Sequence, residues 1–176
     1  MDVIETVKTY IGIDTQQRDV RALLKQDHQD VLDLVRRLAD EDSAARRRAL
    51  FRSLKPLLTA HARAEERAVY AELVKARSKR DAKDLGNEGY VEHSLVDILL
   101  ERMSKTALAG SDAWKAHATV LKELLEHHIE EEEDEIFEAL GKEFSDTQRA
   151  AMAEAFVRDK RAILEPSPRR TVRKAA

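Results

Sequence analysis

The residues of this sequence best suited to chemistry are histidines followed four positions later by a glutamate. His61 with Glu65 and His128 with Glu132 are two such pairs. Residues four apart share one face of a helix, so each pair can direct an imidazole and a carboxylate to the same point. Neutral imidazole binds iron, zinc, copper and nickel, and a carboxylate can bridge two ions. The pairs therefore predict a metal site between helices.

Both pairs belong to an internal repeat. Residues 54–75 align without a gap on residues 121–142, at an offset of 67, and Asp27-His28 aligns with Glu92-His93 at an offset of 65. Each half of the chain thus has a single histidine followed by a His-x-x-x-Glu motif. This pattern predicts two related helix hairpins.

Six ionisable side chains would meet at one level of a bundle built from these hairpins: His28, His61, Glu65, His93, His128 and Glu132. Each alone has an ordinary explanation, since a single histidine on an apolar stripe is usually a hydrogen-bonded core residue and a His-x-x-x-Glu pair often lies on a helix surface. Together they do not, because six inward ionisable groups are costly to bury without a compensating ion. We predict that all six bind metal.

Four motifs support a resemblance to a known family: Asp27-His28, residues 58–70, Glu92-His93 and residues 128–137. They resemble the motifs of the bacterial hemerythrin-like HHE cation-binding domain, over about residues 20 to 141. The resemblance implies two non-haem iron ions joined by an oxo or hydroxo bridge. It also implies that Glu65 and Glu132 bridge these ions and that the four histidines are terminal ligands.

One position departs from the oxygen carriers of that family, which have a further histidine one helical turn before the residue that matches His93. Here that position is Gly89. Two octahedral irons offer about twelve coordination positions, and the implied ligands with a bridging oxygen fill about ten. Water, a small ligand, or one of Glu88, Tyr90 and Glu92 would complete the set, and the sequence does not choose among them. More open coordination favours redox reactivity over reversible oxygen carriage.

Register separates His128 from His127, since both have a glutamate four residues on. Adjacent helical residues point about 100° apart, so only one of them can face the core. His128 reproduces the spacing of His61 to its glutamate and to the aromatic residue beyond it, Tyr70, which aligns with Phe137. We expect both aromatic residues to cap the core beside the metals, with contact of the Tyr70 hydroxyl with the site as the lesser alternative.

The composition predicts an all-α fold. Only five Gly and three Pro occur in 176 residues, and the abundant Ala, Leu, Glu, Lys and Arg lose little side-chain freedom in helices. Periodicity and helix breakers predict an up-down antiparallel four-helix bundle over residues 16–40, 43–78, about 90–108 and 112–140. A short helix over residues 2–11 precedes the bundle, and an extra C-terminal helix opens with a capping box at Ser145.

Three local features are expected to interrupt these helices or to form their solvent-exposed surface. Pro56 should bend or locally break the second helix. Gly86 and Gly89 should bracket a loop before the third helix. Within the acidic run 130–135, every acid except Glu132 is predicted to form a solvated face.

The remaining composition sets the domain plan and excludes several site types. We predict one bundle domain, residues 1–165, and a disordered basic tail, residues 166–176, which cannot bury enough apolar area to fold. The tail removes four positive charges from a net charge of −3, leaving about −7 on the rest, which disfavours a broad nucleic-acid face. The chain has no cysteine, which excludes thiolate metal sites and disulfides. No apolar stretch or signal-peptide pattern suggests a membrane or export, so we expect a cytoplasmic protein.

Three functions remain in view at this point. The first is a di-iron protein that binds or reacts with oxygen, nitric oxide or peroxide in storage, sensing or stress response. The second is a di-iron enzyme with ferroxidase or peroxide-degrading activity at the same centre. The third, a metal-free interaction module that uses the basic tail, leaves the internal ionisable cluster unexplained. The sequence leaves open the physiological ligand, the metal beyond an expectation of iron, and the oligomeric state.

Overall fold

The computed structural model of the chain describes residues 19–76, 80–105 and 110–165. Every regular element in these ranges is helical, which confirms the predicted all-α class. The helices are α1 (Val20–Asp40), α2 (Ala44–Glu65, a π-helical turn Glu66–Tyr70, then Ala71–Lys75), α3 (Arg80–Lys105), α4 (Asp112–Glu131, a π-helical turn Glu132–Ile136, then Phe137–Glu143) and α5 (Asp146–Leu164). The predicted N-terminal helix, residues 2–11, and the basic tail, residues 166–176, lie outside the described residues.

The first four helices form the expected bundle. Each packs against its neighbour in the chain, and α1 closes the ring against α4. The extra helix α5 packs on the outside of α2 and α1. Across the described ranges, no helix is both long and apolar enough to cross a membrane.

Serine side chains begin three of the helices. Ser43 and Ser111 accept hydrogen bonds from backbone N–H groups at the starts of α2 and α4. Ser145 and Gln148 form the predicted capping box at the start of α5. These contacts satisfy N–H groups that have no partner within the helix, which explains why the helices begin where they do.

Pro56 was expected to bend its helix or break it locally, and the break is wrong. It lies inside the continuous stretch Ala44–Glu65. A proline removes one backbone hydrogen bond, but its neighbours Leu54 and Leu57 are buried. Because most helical stability in proteins comes from burial of an apolar face, these contacts hold the helix together across the missing bond.

The expected loop between Gly86 and Gly89 is also wrong, because both glycines lie inside α3. A Cβ atom at Gly86 would lie 3.1 Å from Cγ2 of Val74, and one at Gly89 would lie 2.5 Å from Cζ of Tyr70. The glycines therefore serve close approach of α3 to α2. Glycine is unusual inside a helix, and here its presence is explained by close contact between helices and not by a turn.

Apolar side chains form two clusters, one on each side of the level where the predicted metal-binding residues lie. The first includes Leu24, Val69 and Phe156, and therefore joins α5 to α1 and α2. The second includes Val31, Leu58 and Leu125. Between the two clusters, the interior of the bundle is polar.

Candidate metal centre

The structure brings together all six residues predicted from the sequence, and each is at most 4% exposed: His28, His61, Glu65, His93, His128 and Glu132. The histidines form two pairs. The ring centroids of His28 and His61 are 5.2 Å apart, and those of His93 and His128 are 5.0 Å apart.

Each glutamate spans the two histidine pairs. Glu65 Oε2 lies 3.3 Å from His61 Nε2 and 3.7 Å from His93 Nε2. Glu132 Oε2 lies 3.3 Å from His28 Nε2 and 3.5 Å from His128 Nε2. Each carboxylate thus faces one imidazole of each pair. This is the arrangement expected of a carboxylate that bridges two ions.

The outward nitrogen of every one of these histidines donates a hydrogen bond to its own carboxylate. The Nδ1 atoms of His28 and His93 lie 3.1 Å and 3.2 Å from the carboxylates of Glu133 and Glu66. The Nδ1 atoms of His61 and His128 lie 3.2 Å and 2.6 Å from the carboxylates of Asp27 and Glu92. Such partners fix the tautomer, leaving Nε2 of each ring as the metal donor, and raise the basicity of the ring.

Two of these carboxylates change an expectation made from the sequence. Glu133 was placed on a solvated face, but its side chain is 25% exposed and bonds to Nδ1 of His28. Glu92 was a candidate metal ligand, but it bonds to the outward side of His128. A signal for these roles was present, since Glu133 aligns with Glu66 and Glu92 with Asp27 in the repeat.

The hydroxyl of Tyr70 reaches into the centre. Contact of this hydroxyl with the site was the less favoured of the two expectations for Tyr70. Tyr70 is fully buried, and its hydroxyl donates to Oε1 of Glu132 and lies 3.4 Å from both Glu65 Oε2 and His93 Nε2. Burial and the negative charges of Glu132 and Glu65 raise the pKa of Tyr70 well above its usual value. In the metal-free protein the hydroxyl therefore stays protonated and acts as a donor.

The other candidates for an additional ligand point elsewhere. The hydroxyl of Tyr90 donates to the backbone oxygen of Glu66 at 2.9 Å, and Glu88 is exposed. Tyr70 instead occupies the space that Gly89 leaves open. The position where the oxygen carriers have a histidine is thus filled from the neighbouring helix α2.

Unpartnered buried atoms test whether the residues present fit a metal. In the described ranges, the buried side-chain atoms without a hydrogen-bond partner are Asp27 Oδ1, His28 Nε2, Glu65 Oε1 and Glu132 Oε2. Nearly all buried polar atoms in proteins have a partner. Three of these four belong to the predicted ligands and are imidazole nitrogen or carboxylate oxygen, the donors that iron uses. The donor set therefore fits the metal.

The electrostatics of the site favour positive charge. Burial lowers the pKa of His61, but the carboxylates of Glu65 and Asp27 outweigh burial and raise the pKa to about 10. Burial likewise lowers the pKa of His128, yet Glu132 and Glu92 raise it to about 9. Without metal, both nitrogens of each ring are protonated at neutral pH. A metal ion must displace the proton on Nε2 to bind.

The C-terminal helix adds one charge that the sequence did not indicate. Lys160 of α5 is 5% exposed and donates a hydrogen bond to Asp27, which in turn accepts one from His61. A lysine in an amphipathic helix is ordinarily solvent-facing. Its burial here depends on how α5 lies over α1, which periodicity within α5 does not reveal.

Gly89→Ala should destabilise the fold by about 1–3 kcal/mol, the usual cost of overpacking a filled interior. The added Cβ would lie 2.5 Å from Cζ and 2.8 Å from the hydroxyl of Tyr70, so the ring must shift from the position in which its hydroxyl donates to Glu132. Urea unfolding of the metal-free protein measures the change. We expect the effect to disappear in the background of Tyr70→Ala.

Gly141→Ala is the matched control for this substitution. Gly141 also lies in a helix, but the nearest atom to an added Cβ is Nη1 of Arg21 at 3.1 Å, the end of a flexible side chain. Alanine there should be neutral or slightly stabilising because it favours the helix. Equal unfolding free energies for the two variants would contradict the close contact between Gly89 and Tyr70.

Comparison with known proteins agrees with the geometry. The hemerythrin HHE cation binding domain family matches residues 19–140. The chain belongs to this family, and α5, with Lys160, lies beyond the matched residues.

Among curated proteins, a DNA nickase of Nostoc sp. (strain PCC 7120 / SAG 25.82 / UTEX 2576) is 26% identical over 145 residues. The alignment covers 82% of this chain and 40% of that protein, so the chain spans less than half the length of this relative. No solved structure matches the chain significantly.

Proposed function

We propose that this chain is a non-haem di-iron protein that binds or reacts with oxygen, nitric oxide or peroxide, in storage, sensing or stress response. The observation that carries the proposal is the pair of glutamates, each facing one imidazole of both histidine pairs. In this proposal His28 and His61 hold one iron, His93 and His128 hold the other, and Glu65 and Glu132 bridge them. Bound iron supplies the electrons and the coordination position that a small ligand requires.

The protein's own groups prepare this centre for a small ligand. The carboxylates behind the four rings keep each Nε2 aimed inward. The apolar clusters above and below exclude bulk water, which strengthens electrostatic interactions inside. The Tyr70 hydroxyl holds a proton at the centre, directed at Glu132 Oε1, and we propose it as a further ligand or as a hydrogen-bond donor to the small ligand.

An iron-oxidising or peroxide-degrading enzyme is the alternative at the same centre. The cleft that reaches Glu132 measures about 90 Å³, whereas sites for larger organic substrates are usually about 300–1,000 Å³. A cleft of this size suits a diatomic molecule, peroxide or a metal ion. The nicking activity in the name of the relative is not extended to this chain, because the similarity covers 40% of that protein.

We further propose that α5 is part of one domain with the bundle, within residues 1–165. Phe156 and Met152 of α5 are buried in the same apolar cluster as Leu24 of α1. Phe156 also packs edge-on against His61, with ring centroids 5.8 Å apart. Removal of α5 would therefore expose the first histidine pair to solvent.

Metal analysis and optical spectroscopy test the di-iron proposal. Protein made aerobically in iron-rich medium should contain about two irons per chain, with strong near-ultraviolet absorption from a bridged iron pair. The spectrum of the reduced protein should change when oxygen, nitric oxide or peroxide is added. A colourless protein without iron under these conditions would remove both the proposal and its enzymatic alternative.

Removal of the metal should lower Tm, and the effect should grow with pH. The folded-state pKa values of His61 and His128, about 10 and 9, exceed the ordinary 6.5. Their contribution to the metal-free fold is therefore complete below about pH 6.5 and is lost as pH rises through 9 to 10. The metal-bound fold has the opposite dependence, because protons compete with metal as pH falls.

Thermal unfolding followed by circular dichroism from pH 5 to 9, with and without a chelator, measures this difference. Chelated samples must be shown to be free of metal. We expect a gap in Tm that widens steadily towards alkaline pH, and proton release on metal binding at pH 7. A gap of constant size would mean that the metal does not displace protons from these two rings.

A further inference from the structure

The two halves of the repeat differ in what covers the metal centre. On the first half, α5 lies over the bundle and its Phe156 packs into the cluster beneath. The positions of α1 and α2 under it are small or apolar, and all are buried: Leu23, Leu24, Ala64 and Ala68. This side of the centre is closed.

The same positions of the repeat line an open cleft on the second half. At the offsets of 65 and 67 found in the sequence, they become Glu88, Gly89, Glu131 and Glu135. These four residues line a cleft of about 90 Å³ between α3 and α4, together with Glu92 and Glu132. Each of these four residues of the closed side is thus replaced by an acid or, in one case, by glycine. The other two lining residues, Leu85 and Ile136, match Val20 and Val69 and stay apolar.

Exposure alone does not explain this lining. The chain has almost as many basic as acidic residues, with 31 Lys and Arg against 34 Asp and Glu. Nevertheless, among the residues that the structure describes, no basic side chain lines the cleft. A narrow cleft whose described lining consists of acids and small or apolar groups concentrates cations and repels anions.

The inner end of the cleft reaches the metal centre. Glu132 lines it, is 2% exposed, and carries an oxygen, Oε2, without a hydrogen-bond partner in the described part of the chain. Gly89 stands beside the Tyr70 hydroxyl and adds no side chain of its own. A cation that moves inward along the cleft therefore meets the buried carboxylate of Glu132, whose Oε2 faces the Nε2 atoms of His28 and His128.

A third group of potential metal ligands lies beside the outer end. The ligand atoms of Glu92, His127 and Glu131 all lie within 4.8 Å of one another. His127 Nε2 is 3.3 Å from Glu131 Oε1, and the two side chains are 64% and 43% exposed. The residue that aligns with His127 on the closed side is Ala60, which is fully buried. One imidazole and two carboxylates suit a divalent first-row ion, and their exposure favours rapid exchange.

We propose that this cleft admits Fe²⁺ to the centre and that Glu92, His127 and Glu131 form a transit site for the ion at its mouth. The inference rests on the proposed di-iron function. Glu92 connects the two sites, because it also accepts the hydrogen bond from His128 Nδ1 at 2.6 Å. The asymmetry of the repeat thus gives the centre one sealed side and one side selective for cations.

The rate of iron uptake tests the route. Metal-free Glu131→Gln/Glu135→Gln protein, mixed anaerobically with Fe²⁺, should fill its centre about tenfold more slowly than wild type, as expected when a steering field is removed. Its uptake should also depend less on ionic strength. Final iron content should be unchanged. The control, Glu123→Gln/Glu130→Gln, makes the same charge change at exposed positions of α4 and should load at the wild-type rate.

A second measurement tests the transit site itself. Wild-type protein with a filled centre should bind one additional Co²⁺ weakly, seen by calorimetry and visible absorption, and His127→Ala should abolish this binding. Co²⁺ binding that survives in His127→Ala overturns the transit site. Wild-type uptake rates in Glu131→Gln/Glu135→Gln with full final occupancy overturn the route and leave the di-iron centre intact. If wild type itself never fills, the proposed di-iron function fails and the route fails with it.

Discussion

His128→Ala should lose most of its iron, whereas His127→Ala should reach full occupancy once loading is complete. His128 is 2% exposed and its Nε2 lies 3.5 Å from Glu132 Oε2. The side chain of His127 is 64% exposed and faces Glu131 instead. Loss of this imidazole also removes the hydrogen-bond donor of Glu92 and leaves His28 as the one imidazole that Glu132 still faces, which weakens the site further.

Iron per chain, measured after prolonged incubation with excess Fe²⁺ and removal of unbound metal, distinguishes the two variants. They are matched controls for each other, since they remove the same side chain from adjacent positions of one helix. Even loss of an outer partner of a metal ligand commonly costs 10–100-fold in affinity. Loss of the ligand itself should therefore produce a clear fall in iron per chain. If His127→Ala were the variant that empties, the repeat register would be wrong by one residue and Glu131 would replace Glu132.

The positions of the six clustered residues were predictable because a repeat is a property of the linear chain. The offset that places His61 on His128 also places Glu65 on Glu132, and helical periodicity then sets which side of each helix faces inward. The same argument separated His127 from His128 before any distance was known. Nothing about the relative positions of the helices was needed.

Features that depend on distances between helices were not predictable in this way. Gly89 was interpreted as a turn residue, although its role is to leave room for Tyr70 of another helix. The two π-helical turns, Glu66–Tyr70 and Glu132–Ile136, have no signal in residue type. Such turns shift the register of a helix locally and are frequent at functional sites. Glu133, expected in solvent, lies within the second of these turns and reaches His28.

The roles of the carboxylates that bond to the histidines were only partly predictable. Asp27 aligns with Glu92 and Glu66 aligns with Glu133, so the repeat marked all four positions as significant. It did not assign their roles, because an acid beside a metal ligand can bind the metal, bond to the ligand or face solvent. Only the contacts of the four Nδ1 atoms separate these possibilities.

Lys160→Met should destabilise the metal-free protein by about 3–5 kcal/mol, the usual cost of removing one partner from a buried ion pair. Lys160 is 5% exposed and donates to Asp27, which is 1% exposed. Without the lysine, this carboxylate would keep only the hydrogen bond from His61, and its Oδ1 already has no partner. Urea unfolding of the chelated protein measures the loss.

Two companion variants show whether the effect belongs to the pair. Arg161→Met removes an exposed cation from the next position of α5, where the ion pair with Glu165 contributes at most about 1 kcal/mol. Lys160→Met combined with Asp27→Asn removes both charges and should recover much of the stability, because no buried charge is then left uncompensated. If Lys160→Met unfolds at the same urea concentration as Arg161→Met, then Lys160 does not neutralise Asp27, and α5 covers the first histidine pair through apolar contacts alone.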